Sequence, residues 1–345
     1  MIFLPITVLI LYLLVDFLLT GMYRRKIRIV IHVNGSRGKS TVVRMLDEVF
    51  RNCGYKTCAK VSGTLPRFID VDGKENHIRR VFPNIREQRK FLKRAARDKA
   101  EVFIAECMAI SPELQRVSEQ FLTADIAVIT NVRSDHLEGM GRTRNEIART
   151  LLESVRQNQR IVTGDEFLYS RYREDYTRMS LAKGFDQLEN EFAQNTDIVF
   201  EVARLLSLEQ ARVTSSLSSY RKDPGCSKIV KYRENYIHMG FSANDLESTE
   251  ELYLRYKGNG EGILWFNDRS DRPLRSRIFL GWMLKRVPDK IILSGERIVQ
   301  NRRFLQKKGF DGEIVHKDWL ESSECHVFGI GNVRGLEYLL GDNHV

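Results

Sequence analysis

The chain opens on an unbroken apolar run and then changes to short alternating segments. Residues 2–20, IFLPITVLILYLLVDFLLT, are apolar except at Thr7, Tyr12, Asp16 and Thr20. As a helix rising about 1.5 Å per residue, such a run crosses a hydrocarbon layer of about 30 Å. A transmembrane helix is therefore expected over 1–23. Next comes IRIVIHV (27–33), a β-branched run that reads as a buried parallel strand. The segment TVVRMLDEVFRNCGY follows, with helical spacing at Val42, Met45, Leu46 and Val49. Further strand candidates are EVFIAEC (101–107), ADIAVITNV (124–132) and QRIVTGD (159–165), separated by helical stretches. Strands alternating with helices of this length predict a parallel sheet covered on both faces. Ser, Pro and Gly accumulate in SSLSSYRKDPGCSK (215–228), which is read as a linker. Beyond it GILWFND (262–268), DKIILSGE (289–296) and CHVFGIGN (325–332) repeat the strand pattern. The expected organisation is a central α/β domain over 24–225 and a smaller Rossmann-like α/β domain over 226–345.

Charge gives the apolar run a direction. Arg24, Arg25, Lys26 and Arg28 follow it at once, which by the positive-inside rule places the bulk of the chain in the cytoplasm, held to the inner membrane by a single pass. A cleaved signal peptide is the competing reading, but its charges should precede the apolar stretch, and no A-x-A site is present. Asp16 is a cost within the span, to be met near the cytoplasmic end or by a partner helix. The net charge of +10 is concentrated at the front, residues 1–110 carrying 21 Lys and Arg against 10 Asp and Glu. Much of the excess lies in RRVFPNIREQRKFLKRAARDK (79–99), either a solvated helix face near an anionic leaflet or a track for an acidic polymer. Nucleic acid is not expected, because aromatic residues are not interleaved with the basic ones. Cys53, Cys58, Cys107, Cys226 and Cys325 form no C-x-x-C pair or zinc spacing, and are read as reduced thiols.

The candidate chemistry sits where the first strand meets its helix. VNGSRGKST (33–41) has the glycine, lysine and hydroxyl spacing of a phosphate-binding loop, although Val33 stands where G-x-x-x-x-G-K-[ST] wants its first glycine. Gly35 and Gly38 let backbone N–H groups point at phosphate oxygens at a helix N-terminus. Lys39 would neutralise the β/γ-phosphates and Ser40 would ligate Mg²⁺. In a parallel sheet two more strand ends converge on this loop, one at Glu106 and one running into NVRSDHLEGMG (131–141) with His136. A carboxylate and an imidazole beside such a loop suit magnesium ions on a γ-phosphate.

NGSRGKST, AECMAISPELQ and TNVRSDHLEGMG together resemble the three signatures of the Mur ligase superfamily. PNIREQRKF, DHLEGMG, FSANDLEST, GIGNVRG and the N-terminal membrane segment are similar to the poly-γ-glutamate synthase branch of that superfamily. The resemblance runs over nearly the whole chain. It implies a Mur-ligase-like P-loop ATPase domain, and an ATP-dependent ligase that joins glutamate through γ-linkages by way of an acyl phosphate. It also implies the shorter loop G-x-x-G-K-[ST], so that Val33 is no defect.

Carried over residue by residue, Gly35, Ser36, Arg37, Gly38, Lys39, Ser40 and Thr41 would surround the phosphates of ATP. Ser40 and Glu106 would hold one Mg²⁺ and His136 a second, with Asn131 and Asp135 shaping the turn. Asn195 matches an Asn near the adenine, or is a helix N-cap. Lys228, where relatives often carry Arg, would reach ATP from the linker. In the second domain FSANDLEST keeps Asn244 and Ser248 of the signature D-x-x-H-N-P-x-S, with Ala243 and Asp245 replacing its His and Pro. NDRSDR (267–272) offers Arg269 and Arg272 to an anionic substrate or is a charged surface loop. Residues 137–160 contain no lysine, so the carbamylated lysine of many relatives has no counterpart there. The implied partners are glutamate, the poly-γ-glutamate chain, a small multispan membrane subunit and an accessory subunit. A ligase for a cell-wall precursor or folate, and a membrane-tethered NTPase switch, are the alternatives at this stage.

Overall fold

The computed structural model describes residues 3–63, 66–78, 84–134, 137–184, 191–220, 229–243, 246–256, 262–270 and 273–340. The chain divides into two compact units, Met1–Asp223 and Pro224–Val345.

The first unit begins with helix α1 (Phe3–Arg25), followed by β1 (Ile29–Asn34), α2 (Lys39–Asn52), β2 (Thr57–Val61), β3 (Arg67–Ile69) and β4 (Glu75–His77). It continues through α3 (Arg86–Arg97), β5 (Val102–Glu106), α4 (Pro112–Leu122), β6 (Ile126–Ile129), α5 (Leu137–Met140) and α6 (Arg144–Leu152). β7 (Arg160–Thr163), α7 (Glu166–Tyr172), β8 (Met179–Leu181), α8 (Glu191–Leu205) and α9 (Gln210–Ser219) complete it. The strands form one sheet in the order β4-β3-β2-β5-β1-β6-β7-β8. It is parallel except at the β2–β3 and β3–β4 pairs.

β1 is central and buried along its whole length, which is why it is β-branched throughout rather than alternating. Ile29, Ile31 and Val33 pack into the core beneath α2, α8 and α9. Val30 points the other way, into the core with Phe91, Leu92 and Leu122 of α3 and α4. Successive strand residues point to opposite faces, so one short run serves both cores. Chain order reverses across β1, and ligands of such sheets bind outside the carboxyl ends of strands at that place.

Among the described side chains of α1, Leu11, Phe17 and Leu18 are all more than half exposed. Residues Ile6–Arg25 are long and apolar enough to cross a membrane. Asp16, the one carboxylate in the run, is not left in an apolar setting. It is ion-paired with Arg89 and, at 2.7 Å, with Lys93 of α3. Part of the basic stretch 79–99 therefore neutralises α1, while Arg86, Lys90, Arg94 and Arg97 remain exposed.

The second unit contains β9 (Ile229–Tyr232), β10 (Asn235–Met239), α10 (Leu246–Tyr256), β11 (Ile263–Asp268), α11 (Pro273–Leu284) and β12 (Lys290–Gly295). α12 (Ile298–Lys307), β13 (Glu313–His316) and β14 (His326–Gly331) follow. The sheet order is β13-β12-β11-β14-β10-β9, with only the edge pair β9–β10 antiparallel. Its core is aromatic, with Phe266, Phe279, Trp282 and Phe328 buried around β11 and α11.

Candidate nucleotide and metal site

The register of the first sheet brings the loop to the carboxylate. Val33 lies opposite Glu106 and Asn34 opposite Ile129, so the chain leaving β1 is flanked by the ends of β5 and β6. It must turn sharply there. Gly35 has φ +127°, and a Cβ on it would lie 2.1 Å from Thr130 Oγ1. Only glycine lets the loop approach β6 that closely. Side chains then tie the loop down. Arg37 N–H donates to Asn131 Oδ1 at 3.0 Å, and Ser36 Oγ donates to Arg133 O at 2.9 Å.

Gly38 caps α2 in the left-handed conformation, φ +77°, and no side chain caps that N-terminus. A helix N-terminus without such a cap favours an anion. Lys39 Nζ donates to the carbonyls of Gly35 at 2.6 Å and Ser36 at 3.3 Å. Its ammonium is thus folded over the loop it would share with a phosphate. Ser40 Oγ donates to Glu106 Oε2 at 3.0 Å. Thr41 follows in the first turn of α2.

Glu106 is buried, and burial pushes its carboxyl above the ordinary range, against the opposing pull of Lys39, the Ser62 N–H, Ser40 and Lys60. The Ser40 hydroxyl and this carboxylate are two hard oxygen donors at a phosphate loop. That set fits Mg²⁺, which usually takes one or two carboxylates and completes its shell with water and phosphate oxygens. Among the described residues no group of three His, Cys, Asp or Glu clusters as a metal site.

Asn195 lies within α8, so the N-cap reading falls, and its side chain abuts the loop: a Cβ on Gly38 would lie 2.3 Å from Asn195 Oδ1. Gly38→Ala is accordingly expected to weaken nucleotide binding and to lower stability by about 1–2 kcal/mol through left-handed strain. The clash adds to that. Adding Asn195→Ala should relieve the clash but not the strain, which chemical denaturation of the single and double variants would separate.

Asp135, His136, Lys228, Asn244, Asp245 and Arg272 lie outside the described residues. Ser248 is buried in α10, and Arg269 follows β11, its N–H donating to Asp268 Oδ1 at 2.7 Å. Asp268 is itself buried and accepts from Ser276, Arg297 and Asn301, tying β11 to α11 and α12.

Sequence reasoning overlooked the end of β2. Ser62 N–H donates to Glu106 Oε2 at 2.7 Å, and a Cβ on Gly63 would stand 2.8 Å from Ser40 Oγ. Lys60, fully buried, donates to Ser62 Oγ at 2.9 Å and lies 3.8 Å from Glu87. Gln88 donates to the Glu106 carbonyl at 2.8 Å. The one signal available was the small pair Ser62–Gly63 after a five-residue segment.

Beneath the loop β1 carries a second buried polar group. His32 Nδ1 is 3.0 Å from Glu119 Oε2, and Ser118 Oγ is 3.1 Å from Nε2. Burial alone would push the imidazole down, but Cys107 and Glu119 outweigh it and raise His32 to about 9. A raised histidine pKa stabilises the fold fully below the unfolded value of 6.5, and that contribution is lost as pH climbs through about 9. The melting temperature of the full chain should therefore fall between these pH values, and fall less in His32→Gln.

Comparisons with known proteins match both units. Residues 33–205 match the family model described as the Mur ligase middle domain. Residues 227–342 match that described as the poly-gamma-glutamate synthase CapB C-terminal domain. The chain is 28% identical over 343 residues to the PGA synthase CapB of Bacillus subtilis (strain 168), covering 88% of this chain and 87% of that protein. It is 28% identical over 344 residues to the capsule biosynthesis protein CapB of Bacillus anthracis, covering 88% and 74%. Among solved structures, E. coli FolC in complex with ADP superposes with a TM-score of 0.68 at 16% identity, over 94% of this chain and 91% of that one. MurF from Acinetobacter baumannii gives 0.65 at 13% identity, over 95% and 80%. These two likenesses establish the fold.

Proposed function

We propose, from the premise that this chain belongs to the Mur ligase family, that it is an ATP-dependent amide ligase extending a γ-linked glutamate chain. The observation that carries the reading is the pairing, in one chain, of a Mur ligase middle domain with a C-terminal domain matching that of CapB. The two relatives named for PGA synthesis and capsule biosynthesis support the product class. A folate or cell-wall ligase has no comparable support beyond the fold.

In this reading ATP places its phosphates over Gly35–Thr41. Lys39 exchanges the carbonyls of Gly35 and Ser36 for phosphate oxygens, and Arg37 and Ser36 hold the loop through Asn131 and Arg133. Ser40 and Glu106 hold Mg²⁺, which when bound neutralises phosphate charge. His136 is proposed for a second ion and Asn195 for the nucleotide. The acceptor's carboxylate attacks the γ-phosphorus in line, ADP leaves, and the amine of an incoming glutamate displaces phosphate from the acyl phosphate. Lys39 stabilises charge spread over the transferring group, which is where an electrostatic contribution acts. Asn244, Asp245, Ser248, Arg269 and Arg272 are proposed for the amino-acid substrate, and Lys228 for ATP.

α1 is proposed as a single-pass anchor with both units on the cytoplasmic side, beside a multispan membrane subunit and an accessory subunit. Deleting 1–22 is expected to leave a folded, nucleotide-binding protein, because the core begins at Ile27, while polymer output in cells falls. Undiminished output would contradict the anchoring role. The reading as a whole is tested by supplying ATP, Mg²⁺ and labelled glutamate to the membrane complex. Label should enter acid-precipitable polymer with one ADP per amide, and ADP formed without labelled polymer would overturn it.

A further inference from the structure

We propose that the first unit is seated on an anionic bilayer with the catalytic edge of its sheet turned toward the lipid, an orientation set by α1 and α3 together. This rests on the membrane anchoring proposed above and deepens it.

The two helices lie side by side and run in the same direction. Asp16 of α1 pairs with Arg89 and Lys93 of α3, and one more helical stretch on, the Tyr23 ring lies 5.4 Å from the Arg97 guanidinium. α3 in turn has a fixed sense relative to the sheet. Its first turn is at the catalytic edge, where Gln88 donates to the Glu106 carbonyl at 2.8 Å and Glu87 approaches Lys60. Its last turn leads into the start of β5 at the opposite edge. The residues of α1 ahead of Asp16 therefore project toward the side where the phosphate loop and Glu106 lie. From Phe3 to Asp16, at 1.5 Å per residue, that is roughly 20 Å of helix, so while α1 stays on α3 it enters the bilayer without completing the crossing of about 30 Å that a single pass makes.

The surfaces match such a seat. Ile6, Val8, Leu11, Leu13, Leu14 and Val15 are exposed at 45% or more on the projecting part. Beside α1 at the catalytic edge, Arg86 and Lys90 are exposed on the first turns of α3, while Arg94 and Arg97 lie toward the opposite edge. Cations flanking an apolar helix suit anionic headgroups. A consequence is that the acceptor chain is elongated close to the membrane plane.

The test uses the full chain with Cys53 and Cys226 replaced by Ser and one new thiol carrying a donor dye. Glu113→Cys places it in the first turn of α4 at the catalytic edge, and Gln157→Cys ahead of β7 at the opposite edge, both at exposed positions. Vesicles of phosphatidylcholine and phosphatidylglycerol carry a headgroup acceptor. Given the roughly 16 Å length of α4, quenching at Glu113 is expected to exceed that at Gln157 about twofold. Binding to phosphatidylcholine alone should be about tenfold weaker, or more, if several basic side chains contribute. Asp16→Leu should keep vesicle binding and lose the quenching contrast. Absence of binding would overturn the anchoring reading itself. Binding with equal or reversed quenching would leave anchoring intact and overturn the orientation, and a contrast that survives Asp16→Leu would remove the α1–α3 tie as its cause.

Discussion

Lys39→Ala is expected to lower ATP turnover by about two to three orders of magnitude, the scale of losing one charged group aimed at a transition state. The effect should fall on turnover and leave folding almost untouched. Among the described residues Lys39 makes no ion pair; it donates to the Gly35 and Ser36 carbonyls. Chemical denaturation of the variant should lie within about 1 kcal/mol of the parent, the worth of a typical hydrogen bond. A folded Lys39→Ala chain with parental turnover would take the loop out of the mechanism.

Glu106→Gln should separate activity from stability in opposite directions. The carboxylate is buried beside the Ser40 hydroxyl and the Ser62 N–H, and burial raises its pKa above the ordinary 4.5. The folded state holds this proton more tightly than the unfolded, so stability falls as pH rises from 4.5 through the raised value. At neutral pH the parent folds with a desolvated charge, and the neutral amide removes that cost while keeping an acceptor for both donors. Glu106→Gln is therefore expected to melt higher than the parent at pH 7 without Mg²⁺, the two curves converging below pH 4.5. Turnover should fall about a hundredfold or more, because an amide oxygen binds Mg²⁺ less well than a carboxylate. Lower stability at neutral pH would mean that Glu106 is held in the apo chain by more than the site provides for.

The parts of this site that were legible in the sequence are local. Gly35–Thr41 follows a β-branched strand and opens a helix, and both flanks are readable within fifteen residues. Glu106 ends another such strand, and a parallel sheet gathers strand ends without further information. β2 was not legible, because a short strand carrying Lys60 near its end looks like a solvated turn. Only the fold supplies the Ser62 hydroxyl and the Glu87 carboxylate that let a lysine be fully buried there. Asn195 was recognised by its neighbours in sequence, yet its place against Gly38 depends on α8 packing over α2, a contact across more than 150 residues. In the sequence Asp16 stands only as a cost in a membrane span. Its partners, Arg89 and Lys93, lie in a separate basic tract, and composition does not say which helices touch.

The central claim is that this chain activates a carboxylate as an acyl phosphate, and hydroxylamine tests it most directly. A small, strong nucleophile intercepts an acyl phosphate where the glutamate amine would otherwise attack, forming a hydroxamate. With the membrane complex, ATP, Mg²⁺, a poly-γ-glutamate acceptor and hydroxylamine, the account expects hydroxamate on the polymer in proportion to ADP, and neither product from Lys39→Ala. Steady ADP release with no hydroxamate and no new amide would contradict it, and would mark the protein as a nucleotide hydrolase that activates no carboxylate.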